Sequence, residues 1–114
     1  MNATKNQKIS RLIQKTLGEY FQQQARILLG SSMMVTVTVV RLSPDSGVAK
    51  IYLSLFGSAD KEKSLEIIRA KAKEIRREVG AKVKNQIRII PELIFYIDDS
   101  LDYAEKIEKL LKEE

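Results

Sequence analysis

The chain of 114 residues contains no cysteine and no histidine. Without cysteine it can form neither a disulfide nor a thiolate nucleophile, which suits a reducing cytoplasm, where we expect the protein to act. Without histidine it lacks the usual general base near neutral pH and the commonest metal ligand. We therefore expect no bound metal, no cofactor and no small-molecule substrate.

Apolar spans and phosphate-binding glycine motifs are also missing. No apolar run approaches the ~20 residues that cross a bilayer, and the polar start MNATKNQK lacks the apolar core of a secretory signal. Neither GxxxxGK[ST] nor GxGxxG occurs. Asp98, Asp99 and Asp102 could hold the divalent cation of a nuclease, but helix capping is the favoured explanation of these carboxylates. We therefore expect a protein that is not an enzyme and does not enter a membrane.

Positive charge is abundant and unevenly distributed. The net charge is +5, yet residues 61–88 alone carry ten Lys or Arg against four Glu, a net of +6. Residues 1–29 add a net of +4, residues 30–60 balance to zero, and residues 89–114 carry a net of −5. A basic body with an acidic end is typical of a protein that binds a polyanion on one side.

The first half of the chain predicts a long helix followed by a β-hairpin. Apolar residues from Ile9 to Leu28 recur at helical spacing, so residues 5–29 should form an amphipathic helix that ends at Gly30. Gly18 weakens such a helix, and close packing would explain it. Met33–Leu42 and Val48–Phe56 alternate like strands, with Val35, Val37 and Val39 expected on one apolar face. Residues 43–47 have turn composition, in which Gly47 would supply a positive φ.

The second half predicts helix, strand and helix. The segment Lys61–Val79 has helical spacing, and Gly80 should end or kink it. Residues 81–85 are compatible with either a further helical turn or a loop. Ile87–Ile97 resembles a strand in which Pro91 requires an edge position or a bulge. A last helix should carry a stripe formed by Leu101, Ala104, Ile107, Leu110 and Leu111. The whole chain, 1–114, is therefore predicted to be one α+β domain, a three-stranded sheet covered by helices.

The basic helix offers the best candidate site. Its apolar stripe runs from Leu65 to Val79, and several cations follow one flank of that stripe. Such cations neutralise phosphates and release counterions without reading a base sequence. The candidate phosphate contacts are Arg69, Lys73, Arg76, Arg77, Lys82, Lys84 and Arg88, with Lys5, Lys8 and Arg11 flanking them.

Aromatic residues are few, and most lie on apolar stripes. Tyr52 and Tyr96 fall on the opposite strand face and are the best stacking candidates. With so few exposed rings, we expect recognition of structured RNA through its backbone rather than of unstacked bases. A protein-interaction domain remains an alternative, in which the edge of the third strand or the acidic last helix docks a partner protein.

Three stretches resemble one known family. The segment RIIPELIFYIDDSLDYAEKIEKLL is similar to the end of bacterial ribosome-binding factor A, which has an Arg-x-x-Pro-x-Leu-x-Phe strand followed by Asp and Ser. MMVTVTVVRLSPDSGVAKIYLSLFG resembles the first two strands of that family. Ile75-Arg76-Arg77 followed by Gly80 resembles the Ile-Arg that precedes the third strand of the family. The positions that match the strand motif are Arg88, Pro91, Leu93, Phe95, Asp98 and Ser100.

The resemblance implies a type II KH-like fold, in the order α-β-β-α-kink-α-β plus a C-terminal helix. It also implies a non-catalytic cytoplasmic factor that binds the free small (30S) ribosomal subunit and assists late maturation of 16S rRNA. That role includes 5′-end processing and adaptation to cold. Nothing in the sequence demands a dimer, so we expect a monomer.

One departure concerns the kink between the two KH helices. The family has Ala-x-Gly at this point, whereas the matching stretch here is Lys71-Ala72-Lys73. The sequence leaves open whether the kink is shallower than in the family or shifted to Gly80.

Overall fold

The computed structural model describes residues 2–98, with side chains described from Lys5 onward. The elements follow one another as α1 (Asn2–Leu29), β1 (Met34–Leu42), β2 (Val48–Phe56), α2 (Lys61–Ala70), α3 (Ala72–Val83) and β3 (Glu92–Ile97). The strands form one sheet in the order β1-β2-β3. This arrangement confirms the predicted α+β class; the last helix of the sequence analysis lies outside the described residues.

The helices cover one face of the sheet, which we call the inner face. Strand residues such as Val35, Ile51 and Phe95 point into this layer and are almost fully buried. They pack against α1 residues such as Leu17 and Phe21. We call the other side of the sheet the outer face. Within residues 2–98, no helix is both long and apolar enough to cross a bilayer.

Helix α1 buries a stripe of apolar residues along its middle turns. Ile13, Leu17, Phe21 and Ala25 are buried at spacings of four residues, which places them on one stripe. The helix ends where Gly30 adopts φ 114° and its N–H donates to the carbonyl of Arg26 at 3.0 Å. A left-handed residue of this kind is the predicted cap.

Strands β1 and β2 pair antiparallel, as predicted, but the register changes inside β1. Val37 pairs with Leu53 and Val39 pairs with Tyr52, so Thr38 is the extra residue of a β-bulge. Because a one-residue insertion reverses which face each side chain takes, Val39 lies on the outer face and is 37% exposed. The expectation that Val39 shares the apolar face with Val35 is therefore wrong.

The hairpin turn is fixed by side-chain hydrogen bonds. The hydroxyl of Ser43 donates to Oδ1 of Asp45 at 2.7 Å, and the N–H of Gly47 donates to the same oxygen at 2.9 Å. The residue with positive φ is Ser46, at 62°, and not Gly47 as the sequence suggested. The hydrogen bonds hold the turn in a conformation that would otherwise favour glycine.

The predicted basic helix is two helices that meet at Lys71. Asp60 caps the first, since its carboxylate accepts a hydrogen bond from the N–H of Lys63 at 3.1 Å. Lys71 has φ −100° and ψ 6°, outside the helical range, and α3 starts directly after it. The expectation that Gly80 ends or kinks the helix is wrong, because α3 continues through Gly80 to Val83. The kink therefore stays beside Ala72 without the family glycine.

Strand β3 is shorter than the sequence suggested. It begins at Glu92 rather than Ile87, and residues 87–91 form an irregular connection from α3. Pro91 is buried directly before the strand, where it removes no ladder hydrogen bond. Among residues 2–98, β3 pairs parallel with β2 and with no other strand, so it has the edge position that was one of the two alternatives predicted from Pro91.

Candidate nucleic-acid interface

Two arginines connect α2 and α3 to the outer edge of β3 through hydrogen bonds to backbone carbonyls. Arg69, near the end of α2, donates from Nε and Nη2 to the carbonyl of Phe95 at 3.0 and 2.8 Å. Arg76, in α3, donates from Nε to the carbonyl of Pro91 at 3.0 Å and from Nη2 to that of Ile90 at 2.6 Å. An edge strand leaves such carbonyls without ladder partners. Both guanidinium groups therefore have a structural role, which the sequence analysis did not predict.

Beside this edge lies a groove with a strongly basic wall. It is open, has a volume of about 460 Å³, and is lined by Lys73, Arg76, Arg77, Gly80 and Ile90. We call these five residues the basic groove. The four residues of α3 recur at spacings of three and four, so they share one side of the helix. Ile90 forms the floor of the groove and packs close to α3. Its side chain lies 3.3 Å from the position that a Cβ of Gly80 would take.

The remaining candidates of the second half are divided between two sides of α3. Lys84 follows the last turn of α3, and Arg88 lies in the connection that continues to Ile90; both are exposed. Lys82 lies nine residues after Lys73, which at about 100° per residue places it on the opposite side of the helix. The structure therefore does not place Lys82 in the basic groove.

Two carboxylates of α3, those of Glu74 and Glu78, lie toward α1. Burial raises the pKa of the Tyr20 hydroxyl, and the carboxylates of Glu78 and Glu74 raise it further. Both glutamates must therefore lie close enough to act on a ring of α1. Glu74 and Glu78 thus lie toward α1, and neither of them lines the basic groove.

The three candidates in α1 lie apart from the basic groove. Arg11 lines a shallow groove with Thr38, Val39 and Leu42 of β1. Strand β1 is at the opposite edge of the sheet from β3. Lys5 and Lys8 lie in the turns before Arg11 on the same helix, and both are exposed. The structure does not bring Arg11 together with the cations of α3.

Within residues 2–98, no carboxylate forms an ion pair with a candidate cation. None of the ten predicted phosphate contacts lies within 4.0 Å of a carboxylate oxygen in the described part of the chain. An ion pair does form between Lys71 and Glu74, at 3.7 Å between exposed side chains, but neither residue is a candidate. The charges of the basic groove therefore remain available to an external anion.

Tyr52 and Tyr96 lie together on the outer face, as the strand pattern predicted. Their ring centroids are 5.3 Å apart with an angle of 24° between the planes, so they stack on each other. The guanidinium of Arg69, which donates to the carbonyl of Phe95, lies 5.9 Å from the centre of the Tyr96 ring. The rings of Tyr52 and Tyr96 are thus already in contact with each other, and Tyr96 also contacts Arg69. These contacts favour recognition of RNA through phosphates over stacking on bases.

The carboxylate cluster shows no metal chemistry where it can be described. Asp98 accepts a hydrogen bond from the hydroxyl of Thr38 at 2.6 Å. Asp99 and Asp102 lie outside the described residues. Among residues 2–98 no group of three metal-ligating side chains comes together.

Comparison with known proteins identifies the family of this chain. The sequence pattern of the family described as ribosome-binding factor A matches residues 5–111. The chain belongs to the ribosome-binding factor A family. It is 42% identical over 111 residues to ribosome-binding factor A of Cytophaga hutchinsonii, covering 97% of this chain and 83% of that protein. It is also 42% identical over 106 residues to that of Chlorobaculum tepidum, covering 92% of this chain and 86% of that protein.

Solved structures of ribosome-binding factor A share the fold. The crystal structure of the Thermus thermophilus protein aligns with a TM-score of 0.67 at 23% identity, covering 81% of this chain and 94% of that one. The solution structure of a protein from Thermotoga maritima described as a putative ribosome-binding factor A gives a TM-score of 0.65 at 28% identity, covering 82% and 87%. The fold is therefore KH-like, as the family resemblance implied.

A further structure shows ribosome-binding factor A in a complex with the 30S subunit. A homology model of the Thermus thermophilus protein, fitted into a cryo-electron microscopy map of its complex with the 30S subunit, aligns with a TM-score of 0.62 at 24% identity. The alignment covers 77% of this chain and 89% of that one.

Proposed function

We propose that this chain binds RNA of the small ribosomal subunit through the basic groove and that it acts by binding rather than by catalysis. The observation that carries the proposal is the convergence of Lys73, Arg76 and Arg77 on one groove, with no carboxylate pairing them in the described chain. Converging, unneutralised cations attract phosphate groups and release their counterions on binding. Lys84 and Arg88 are exposed, and we propose them as further phosphate contacts.

The contacts of Arg76 support this role because they fix its guanidinium in place. Its Nε and Nη2 atoms are held by the carbonyls of Pro91 and Ile90, and this leaves the N–H groups of Nη1 for an external acceptor. A guanidinium that is already oriented loses less side-chain entropy when a phosphate binds. Arg69 is held in the same way by Phe95.

The Thermus thermophilus relative has been placed in a complex with the 30S subunit. We infer the same partner for this chain, in the form of the free small subunit and its 16S rRNA. In keeping with the family resemblance, the proposed role is assistance in late maturation, including 5′-end processing of 16S rRNA, in the cytoplasm and with importance in the cold. The chain would act as a monomer without a cofactor.

The test compares two double variants of equal charge change. Lys73→Glu with Arg77→Glu removes two groove cations that make no hydrogen bond to the described backbone. Lys15→Glu with Lys63→Glu reverses two exposed cations elsewhere. We expect the first variant to bind purified small subunits more weakly and to lower the slope of log K against log salt by about 2. Arg76 is left unchanged because its substitution would also disturb the edge of β3.

The proposal fails if both double variants bind small subunits with the affinity and salt dependence of the unmodified chain. In cell extract, the unmodified chain should sediment with free small subunits rather than with whole ribosomes. The groove variant should be lost from that fraction, whereas the control variant should remain.

The alternative is a protein partner that adds a strand to the edge of β3 or docks on the acidic C-terminal segment. Arg69 and Arg76 already occupy carbonyls of Phe95, Pro91 and Ile90 along this edge, and strand addition needs such acceptors. The structure therefore favours RNA over a strand-adding partner. RNase treatment separates the two, because a protein contact would survive it.

A further inference from the structure

The bulge in β1 places a pair of cations on the outer face of the sheet. Before the bulge, Val35 and Val37 point to the inner face and are buried. Because Thr38 is an extra residue, Arg41 lies on the outer face and not on the inner face with the two valines. There it pairs with Lys50 of β2, and both side chains are exposed.

This cation pair is unfavourable within the described fold. Side chains directly opposite each other on neighbouring strands have Cβ atoms roughly 5 Å apart, and like charges at that separation destabilise a sheet. No carboxylate of residues 2–98 lies within 4.0 Å of Arg41 or Lys50. An external anion would remove the repulsion, and one phosphate group can accept hydrogen bonds from both side chains.

Arg11 adds a third cation beside the same strand. It lines a groove of about 360 Å³ between α1 and β1, and the β1 side of this groove includes Val40 and Leu42, the two neighbours of Arg41. Arg11 is exposed, and no carboxylate lies within 4.0 Å of it in the described part of the chain. We call Arg11, Arg41 and Lys50 the edge cluster.

The edge cluster and the basic groove lie at opposite edges of the sheet. Among residues 2–98, β1 and β3 each pair with β2 alone, so their free edges face away from each other in the plane of the sheet. Arg11 lies against β1, whereas Arg76 donates to carbonyls at the edge of β3. One straight RNA duplex therefore cannot lie against both edges at once.

We propose that the edge cluster is a second phosphate-binding site and that the chain bridges two segments of RNA, a role that rests on the function proposed for the basic groove. The three cations extend from α1 across β1 to β2, and an RNA backbone presents phosphates in such a continuous row. Two sites on one folded chain also raise the overall affinity, because binding of one segment brings the other to a high effective concentration. A chain that bridges in this way fixes the distance between two RNA segments without catalysis.

The first test counts the RNA duplexes that one chain binds. The probe is a short blunt-ended RNA duplex at saturating concentration, and sedimentation velocity gives the stoichiometry. The unmodified chain should bind two duplexes, and the edge variant, Arg11→Glu with Arg41→Glu, should bind one. The groove variant, Lys73→Glu with Arg77→Glu, should also bind one.

The outcomes of this count separate the two proposed sites. One duplex on the unmodified chain, or two on the edge variant, would overturn the second site. If the groove variant kept two duplexes while the edge variant bound one, the edge cluster would be supported and the function proposed for the basic groove would fail.

The second test uses purified small subunits. The edge variant should bind them about tenfold more weakly or worse and lower the slope of log K against log salt by about 2. Lys15→Glu with Lys63→Glu has the same charge change and should bind like the unmodified chain. Equal losses in the two variants would show that only net charge matters and would overturn the proposal. Displacement of the duplex from the groove variant by poly-L-glutamate as readily as by unlabelled duplex would indicate a site for acidic proteins and would also overturn it.

A third measurement checks the cation pair itself. Arg41→Glu places opposite charges on facing strands, whereas Arg41→Gln only removes one charge. Arg41→Glu should therefore have the higher melting temperature, by a margin that shrinks as salt is added, yet it should bind the RNA duplex more weakly than Arg41→Gln. An equal or lower melting temperature would show that Arg41 and Lys50 do not act on each other and would overturn the proposal.

Discussion

Thr38 and Asp98 are joined across the middle strand of the sheet, since Oγ1 of Thr38 donates to Oδ2 of Asp98 at 2.6 Å. Thr38 is the bulged residue of β1, and Asp98 follows the last residue of β3. On the inner side, Nε2 of Gln14 donates to the carbonyls of Val37 and Thr38 at 3.1 and 3.4 Å. The bulge is therefore held from both faces, and the hydrogen bond to Asp98 links the two edge strands.

Thr38→Val should lower the free energy of unfolding by roughly 1 to 2 kcal/mol, because it removes a hydrogen bond to a carboxylate while keeping a β-branched side chain. Urea denaturation of the purified chain measures this change. Thr36→Val is the matched control, since Thr36 is exposed on the same strand and makes no side-chain hydrogen bond within the described residues. It should change stability by less than about 0.5 kcal/mol. Equal effects would show that the Thr38–Asp98 bond contributes nothing.

Arg76→Lys should destabilise the chain by about 1 kcal/mol although the positive charge is kept. A lysine ammonium cannot reproduce the two-atom fork that holds the carbonyls of Pro91 and Ile90. Arg77→Lys is the control, because Arg77 lines the same groove without a hydrogen bond to the described backbone. In thermal unfolding, the melting temperature of Arg76→Lys should be lower than that of Arg77→Lys and that of the unmodified chain. The structural role of Arg76 would be refuted if the two variants melted together.

Gly18→Ala should stabilise the chain by about 1 kcal/mol, which is the helix-propensity cost of an interior glycine. A Cβ at Gly18 would meet no atom within 4 Å, so the expected close packing there is wrong. Gly80→Ala should gain less, because its Cβ would press on Ile90 at 3.3 Å. Urea denaturation of both variants gives the comparison. A gain at Gly80 equal to that at Gly18 would show that Ile90 moves away without cost.

Asp45 should make part of the stability depend on pH. Hydrogen bonds from the Ser43 hydroxyl and the Gly47 N–H hold the pKa of this carboxyl below its ordinary value of 3.8. Because the folded-state pKa is the lower one, its contribution is present above 3.8 and is lost as the pH falls through the folded-state value. Asp45→Asn keeps an acceptor oxygen but cannot titrate. The free energies of unfolding of the two proteins, measured between about pH 2 and pH 5, should become more similar as the pH falls. A difference that stays constant over this range would contradict the assignment.

The sequence by itself determined α1, β1 and β2, the order in which helices and strands follow one another within the described residues, and the family. Helical spacing in α1 and alternation in β2 are local properties, because each depends on which side of one element a residue takes. Gly30 and Asp60 act as caps through their own backbone geometry or neighbouring N–H groups. The strand motif from Arg88 to Phe95 could also be recognised from the sequence, because its residues follow one another along the chain.

Only the tertiary structure decided which cations share a surface. Arg76 and Lys82 are close in sequence but lie on different sides of α3, and Arg11 lies at the far edge of the sheet. The sequence also did not show that Gly80 is closely packed whereas Gly18 is not, or that Val39 is turned outward by the bulge at Thr38. Each of these outcomes depends on a partner distant along the chain: β3 for Arg76, Ile90 for Gly80, and β2 for Thr38. Periodicity within one element carries no information about such partners, because it fixes the direction of a side chain but not what that side chain meets.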